Sequence, residues 1–386
     1  MAPNPAATCQ GGFSGICPGP NPIAQRNYPP HSFIETYFGN GSLPSLNLTS
    51  SLAFQRQLYL AVLSQAIEMK ADIGTRRTNA HTGTIYWQGA KSYKRVKRDC
   101  FMMTSPCCLR SCAANEIWPT GGWGSLEYGT VGFTPGQVVG GRWKILHHWV
   151  SSILYKDAFF TCGVDGRCLV RNDSPVRPLG GTAIAQLLKL SNASTQTAAP
   201  VFVMSEPVNL GLGFGAVQQF CLGGGNWSTA CEPLGSVVSR FGCSATGVDC
   251  VLLLEVDPST GGLPAAASWE LLAIPGAVAP SLPPAVVQAV VATNPNADRS
   301  VNVTVTSAGG LAALFVTLTT AAQGRFSDNA IIIPGSTGGS SYWAALGNSV
   351  TLRFIGFPVS ADGSGADVDI GLLASSLRVE HLAQYV

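Results

Sequence analysis

Charge is scarce in this sequence. Asp, Glu, Lys and Arg make up 11% of its 386 residues, less than half the roughly 25% of an ordinary globular chain. The net charge is +2, which excludes a chain built as a whole to bind a polyanion. Histidine is rarer still, with five residues. The adjacent pair His147 and His148 has no metal-ligand spacing and reads as helix packing. No apolar run approaches the roughly 18 residues of a membrane span, because prolines break the apolar stretch from Ala265 to Ala292. The opening residues, MAPNPAATCQGGFSGICPGPNP, lack the basic start and apolar core of a secretory leader.

What is present points to short strands. Gly (44) and Pro (25) are abundant, and 46% of residues are hydrophobic, enough for sizeable cores and many turns. There are 12 cysteines. Six of them form close sequence pairs, Cys162 with Cys168, Cys221 with Cys231 and Cys243 with Cys250, and these are expected to be disulfide-bonded. The first pair brackets GVDGR, whose Asp-Gly suits a tight hairpin. Asn-x-Ser/Thr sequons occur at Asn40, Asn47, Asn172, Asn192, Asn226 and Asn302. Paired cysteines and sequons together point to a lysosomal, vacuolar or secreted setting. The expectation that follows is a true start lying upstream of this chain.

Residues 1–30 read as a disordered tail. SSLAFQRQLYLAVLSQAIEMKADIGTRRT is the clearest helix, with Ser50 or Ser51 as its cap. AHTGTIYWQ follows as a short apolar strand suited to a parallel sheet buried on both faces. GGRWKILHHWVSSILY reads as a second helix. From Asp157 onward, short apolar runs alternate with Gly, Pro, Asn and Asp, among them AFFTC, CLVRN, TAIAQLLKL, PVFVM, CVLLLEV, PAVVQAVVAT, RSVNVTVT, LAALFVTLTT, SVTLRFIGF and SLRVEHLAQYV. This is the pattern of antiparallel sandwiches, and two fit, with a boundary near residue 280.

Trp87, Trp118, Trp123, Trp143 and Trp149 crowd the region between the two helices and the second helix itself. Tryptophans at the end of a barrel strand can floor a sugar site, because a pyranose ring has a flat C–H face. Core packing is the competing reading from spacing alone. The segments TGTIYWQ, NEIWPTGGWGSLEYG and GGRWKILHHW resemble the closing barrel segment of β-mannosidases of glycoside hydrolase family 2. In that family the pattern runs Gly-x-x-Tyr-Trp-Gln-Leu-Asn-Asp-x-Trp, followed later by Arg/Lys-Trp-Lys-x-Leu-His-Tyr. GRFSDNAIIIPG resembles the family's last sandwich domain.

The resemblance implies a mixed fold: the terminal segment of a (β/α)8 barrel (31–156, interrupted by an insertion at 89–114), a β-sandwich domain (157–279) and a C-terminal β-sandwich domain (280–386), both immunoglobulin-like. It implies a retaining glycosidase that removes terminal β-mannose from glycans or glycoproteins, with no cofactor and no metal. Such enzymes place two carboxylates about 5–5.5 Å apart, with pKa values pushed apart so that one is ionised and one protonated. Both family motifs lie upstream of the matched stretch, so no catalytic residue is assigned here. Glu35, Glu116 and Glu127 do not stand at those positions. The resemblance assigns Trp118 to the sugar-binding subsite and Asn115 and Glu116 to its polar rim. β-Mannoside glycans, and the missing upstream barrel portion, are the expected partners. Nucleic acid is not expected.

Between Gln88 and Asn115 the family pattern is broken by GAKSYKRVKRDCFMMTSPCCLRSCAA. This block reads first as translated intron sequence, then as a disulfide-bonded surface loop. Metal or nucleic-acid binding ranks lower, because Cys100, Cys107, Cys108 and Cys112 lack Cys-x2-Cys pairing. The competing function for the whole chain is a non-catalytic β-sandwich protein that binds glycans or a partner.

Overall fold

The computed structural model describes residues 33–39, 51–78, 132–134, 137–139, 145–191, 200–212, 215–224, 227, 230–258, 266–335, 342–359 and 365–386. The expected barrel strand around Trp87 and the block at 89–114 lie outside these residues. No barrel is described, and every strand pairing among the described residues is antiparallel.

A helix at 33–38, α1, precedes the long helix α2, Ser51–Thr78. Residues 59–66 of α2 are all buried, including Ser64 and Gln65. A helix enclosed on all sides needs little amphipathicity. Ser64 is satisfied inside by donating to the Leu60 carbonyl, 2.7 Å away. A short hairpin, β1 (Gly132–Thr134) with β2 (Gln137–Val139), comes next. Helix α3, Ile145–Trp149, continues as a wider π-type turn over Val150–Leu154. Trp149 packs on Phe315 and Tyr59 bonds to it, while Arg77 near the end of α2 donates to the Leu154 carbonyl.

The first group of strands comprises β3 (Ala158–Cys162), β4 (Arg167–Asn172), β5 (Leu179–Lys189), β6 (Val201–Leu210), β7 (Ala216–Cys221), β8 (Cys250–Pro258) and β9 (Ala266–Leu271). They form a sheet in the order β3-β4-β7 and another in the order β6-β5-β8-β9. Ala183, Ala185 and Leu187 of β5 join Leu252, Leu254 and Val256 of β8 in a core shared with Phe160 and Val170 of the first sheet. The alternate residues, Leu188, Val251 and Leu253, face the helices instead. Strand β8 is therefore covered on both faces, which explains its unbroken apolar run. Helix α4, Leu234–Arg240, was not expected from the sequence.

Three disulfides tie this group together: Cys162–Cys168, Cys221–Cys231 and Cys243–Cys250. Cys162 and Cys168 stand directly opposite each other in the β3–β4 register. The loop between them ends on Gly166 at φ 76°, where a Cβ would lie 1.9 Å from the Glu232 carbonyl oxygen. Only glycine fits a left-handed position so close to another backbone.

A short helix α5, Pro275–Val278, leads to the second group. This group contains β10 (Val287–Val291), β11 (Val301–Ser307), β12 (Ala313–Thr319), β13 (Gly324–Phe326), β14 (Ile331–Ile333), α6 (Tyr342–Leu346), β15 (Ser349–Val359), β16 (Gly365–Ala366), α7 (Ile370–Ser376) and β17 (Arg378–Glu380). One sheet runs β10-β11-β15-β13 with β16 on β15, and β14-β12-β17 lies opposite. Val301, Val303 and Val305 of β11 point into their common core, and the residues between them do not. Helices α6 and α7 were not expected, and SLRVEHLAQYV is only briefly a strand. It turns into a 3-10 helix at Leu382–Gln384, which lets Leu382 and Tyr385 pack against the helix core.

Candidate functional site

A shared core joins α2, α3, the outer face of the β6-β5-β8-β9 sheet and residues of the second strand group. Trp149 of α3, Trp269 of β9 and Phe315 of β12 form an aromatic triangle with separations of 4.9 Å (Trp149–Trp269), 5.7 Å (Trp149–Phe315) and 5.0 Å (Trp269–Phe315) between ring centroids. The two edge-to-face pairs, Trp149 with Trp269 and Trp269 with Phe315, contribute beyond their buried area.

Strand β12 serves two cores because of a bulge. Ala313 and Val316 face the sandwich core, while the consecutive residues Leu314 and Phe315 both face the helices. Regular alternation forbids that arrangement. The β12–β14 register shifts between Ala313 and Val316, and Phe315 adopts φ 55°. The extra residue re-aims the ring. The Phe315 carbonyl accepts the Tyr59 hydroxyl at 2.7 Å.

Three polar connections surround this core. Lys70 of α2 pairs with Glu270 of β9 at 2.7 Å and lies 4.5 Å over the Trp269 ring. Thr161 donates to the other Glu270 oxygen at 2.9 Å. At the end of α2, Arg77 pairs with Asp173 at 2.5 Å and covers the Phe159 ring, and Arg171 meets the second Asp173 oxygen at 2.6 Å. Glu255 of β8 accepts the Trp343 backbone N–H at 3.2 Å, while the Trp343 indole donates to the Leu254 carbonyl at 3.0 Å. Burial raises the Glu255 carboxyl above its ordinary range, against the lowering effect of the Trp343 and Tyr342 backbone N–H groups. His148 is driven down to about 3 by burial, with Arg325 acting in the same direction.

These groups fix positions. Among them is no nucleophile paired with a base. Lys70 and Arg77 hold the end of α2, before the segment 79–144, and Arg77 also donates to the Leu154 carbonyl in the turn that follows α3. Trp118, Asn115 and Glu116, the residues assigned to a sugar site, lie on that segment and outside the described residues, as do Trp87, Trp123, Trp143 and Glu127. Trp149 is 1% exposed and belongs to the core. Glu35 is an exposed residue of α1. The one group of possible metal-ligand atoms among the described residues, Cys243, Asp249 and Cys250, has its two sulfurs joined in a disulfide, which removes them as thiolate ligands.

The sequons divide in the same way. Asn40, Asn47, Asn192 and Asn226 lie outside the described residues. Asn172 does not fit a glycan, and that expectation is corrected. It is 0% exposed, and its amide donates to the carbonyls of Arg177 at 2.9 Å and Gly211 at 3.2 Å. Asn302 is half-buried on β11.

Sequence reasoning did not find Lys70, Glu270, Arg77, Asp173 or Glu255. The one available signal was Glu255, an acid set between the apolar residues Leu254 and Val256.

No curated protein matches the chain. Among solved structures, the chain is similar to the Amycolatopsis orientalis exo-chitosanase, at 15% identity and TM-score 0.45, over 91% of this chain and 39% of that one. A structure of an exo-beta-D-glucosaminidase in a study of its inhibition is similar at 14% identity and TM-score 0.44, over 91% and 35%. The chain thus spans less than two fifths of these structures' length, and likeness at this level assigns no activity. Residues 282–338 match the Ig_mannosidase family, an Ig-fold domain. That match runs from just before β10 through β14, so this part of the chain is an Ig-fold domain of the kind named for mannosidases.

Proposed function

We propose that the chain is the C-terminal portion of a retaining glycoside hydrolase that removes terminal β-mannose from glycans. The observation that carries this reading is the Ig_mannosidase match at 282–338. It contains GRFSDN, one of the segments that resemble family 2 β-mannosidases. The nucleophile and the acid/base come from sequence outside this chain, and Trp118 forms the floor under the sugar, with Asn115 and Glu116 at its rim. The disulfides support a lysosomal, vacuolar or secreted setting.

The purified chain is expected to release nothing from a chromogenic β-mannoside, and the chain joined to its upstream coding sequence is expected to release the chromophore. Release by the chain alone overturns the assignment of the carboxylates. Release by the joined protein from a β-glucosaminide and not from the mannoside reassigns the sugar. Saturable glycan binding without turnover by the joined protein favours a non-catalytic binding module.

A further inference from the structure

The two sequons that the structure describes differ in kind. Asn172 spends both amide hydrogens on carbonyls, and its Oδ1 accepts the Ser174 N–H at 2.9 Å. It is held by its own turn and by the Gly211 carbonyl, with no exposure. Asn302 is turned outward from β11, on the face opposite the sandwich core. Its Oδ1 accepts from Asn296 at 2.9 Å. Its Nδ2, the atom to which a glycan attaches, makes no hydrogen bond among the described residues, so it is left free by a carbonyl already held in place.

The sequon is read along an extended strand, so Asn302 and Thr304 share one face. Thr304 is also on that outer face and pairs with Thr351 at 3.2 Å. Thr304 stands opposite Val290 of β10. Val290 is 68% exposed, an apolar side chain on an edge strand that pairs with β11 alone among the described residues. Edge strands with apolar side chains are templates for association with other chains. A diagonal neighbour on the next strand lies about 7–8 Å away. The first sugars on Asn302 can therefore lie over Val290.

We propose that Asn302 carries an N-linked glycan that lies over the outer face of the β10-β11-β15 sheet and shields Val290 and the β10 edge, while Asn172 stays unmodified. This rests on the luminal setting proposed above.

The test has two arms. In the first, the full chain is secreted from eukaryotic cells behind an added leader and digested with peptide-N-glycosidase, and the Asn302 and Asn172 peptides are weighed. Deamidation at Asn302 is expected, together with its loss in Thr304→Ala and its retention in Thr304→Ser. An unmodified Asn302, or a glycan on Asn172 instead, overturns the proposal. Deglycosylated protein is expected to scatter several-fold more light on standing, and Val290→Thr is expected to reverse that rise. No rise overturns the shielding role. In the second arm, protein from its own cells is examined. Disulfides without a glycan at Asn302 overturn this proposal alone. Absence of both overturns the luminal setting as well.

Discussion

Tyr59 donates its hydroxyl hydrogen to the Phe315 carbonyl across 256 residues of sequence. The two residues tie a helix to a strand bulge, and both are fully buried. Burial also raises the Tyr59 pKa, so the hydroxyl stays protonated and remains a donor. Tyr59→Phe leaves the bulge carbonyl without this partner in a dry core. A loss of about 1–3 kcal/mol is expected, measured by denaturant unfolding. An unchanged midpoint and slope would show that the bulge does not depend on this bond.

The pair of Lys70 and Glu270 is nearly enclosed, with side-chain exposures of 6% and 23%. Removing one partner strands the other. Lys70→Ala is expected to cost about 3 kcal/mol or more, whereas the double change Lys70→Met with Glu270→Leu is expected to cost less than that single one. A double-mutant cycle by thermal or denaturant melts reads the coupling. Strict additivity would rule it out.

Acid acts on this fold with two signs. His148 falls from 6.5 to about 3 on burial, so the unfolded chain takes up its proton first. Its contribution is complete above pH 6.5 and is lost as pH falls toward 3. Between pH 6.5 and 5 the loss is about 2 kcal/mol. Asp328 rises from 3.8 to about 6 on burial, so the folded chain takes up its proton first and stability grows as pH falls through that interval. Unfolding measured at pH 5 and pH 7 should show His148→Gln reducing the acid loss and Asp328→Asn removing the acid gain. The reverse pattern would refute the assignment of these two groups.

All three described disulfides lie between Cys162 and Cys250, and no cysteine follows Cys250. Closing loops this short is worth about 2–3 kcal/mol each on the chain-entropy account. Reductant is therefore expected to lower amide-exchange protection in β3, β4, β7 and β8 well before it does so in β11 and β15. Equal loss in both strand groups would show that the joint core transmits the effect.

The alternating strand runs were legible because they follow one periodicity, whereas α2, buried all round over residues 59–66, was legible from its length and helix-forming residues. The run VNVTVTS alternates residue by residue, and the structure keeps that alternation. The junction was not legible. Lys70 lies beside the exposed Ala71 on a helix that carries other charged residues at its surface, so nothing local marks it as an ion-pair partner for a residue 200 positions away. LAALFVTLTT reads as a plain strand, and its bulge becomes visible only when two cores compete for adjacent side chains. Helices α4, α6 and α7 are five to seven residues long, too short for a periodic signal to rise above turn composition. Of the candidate sugar site, the sequence supplied the tryptophans, and the structure describes the helices on either side of the segment that carries them.

The bulge at Phe315 makes β12 a length-sensitive part of the chain. Adding or deleting a single residue between Ala313 and Val316 would exchange inside for outside along the rest of the strand. Val316 and Leu318 would then be driven toward the helices, and Thr317 into the sandwich. Conservative substitutions within this stretch leave the arithmetic intact, whereas a three-base insertion or deletion does not. For that reason, the stretch should tolerate changes of spelling far better than changes of count.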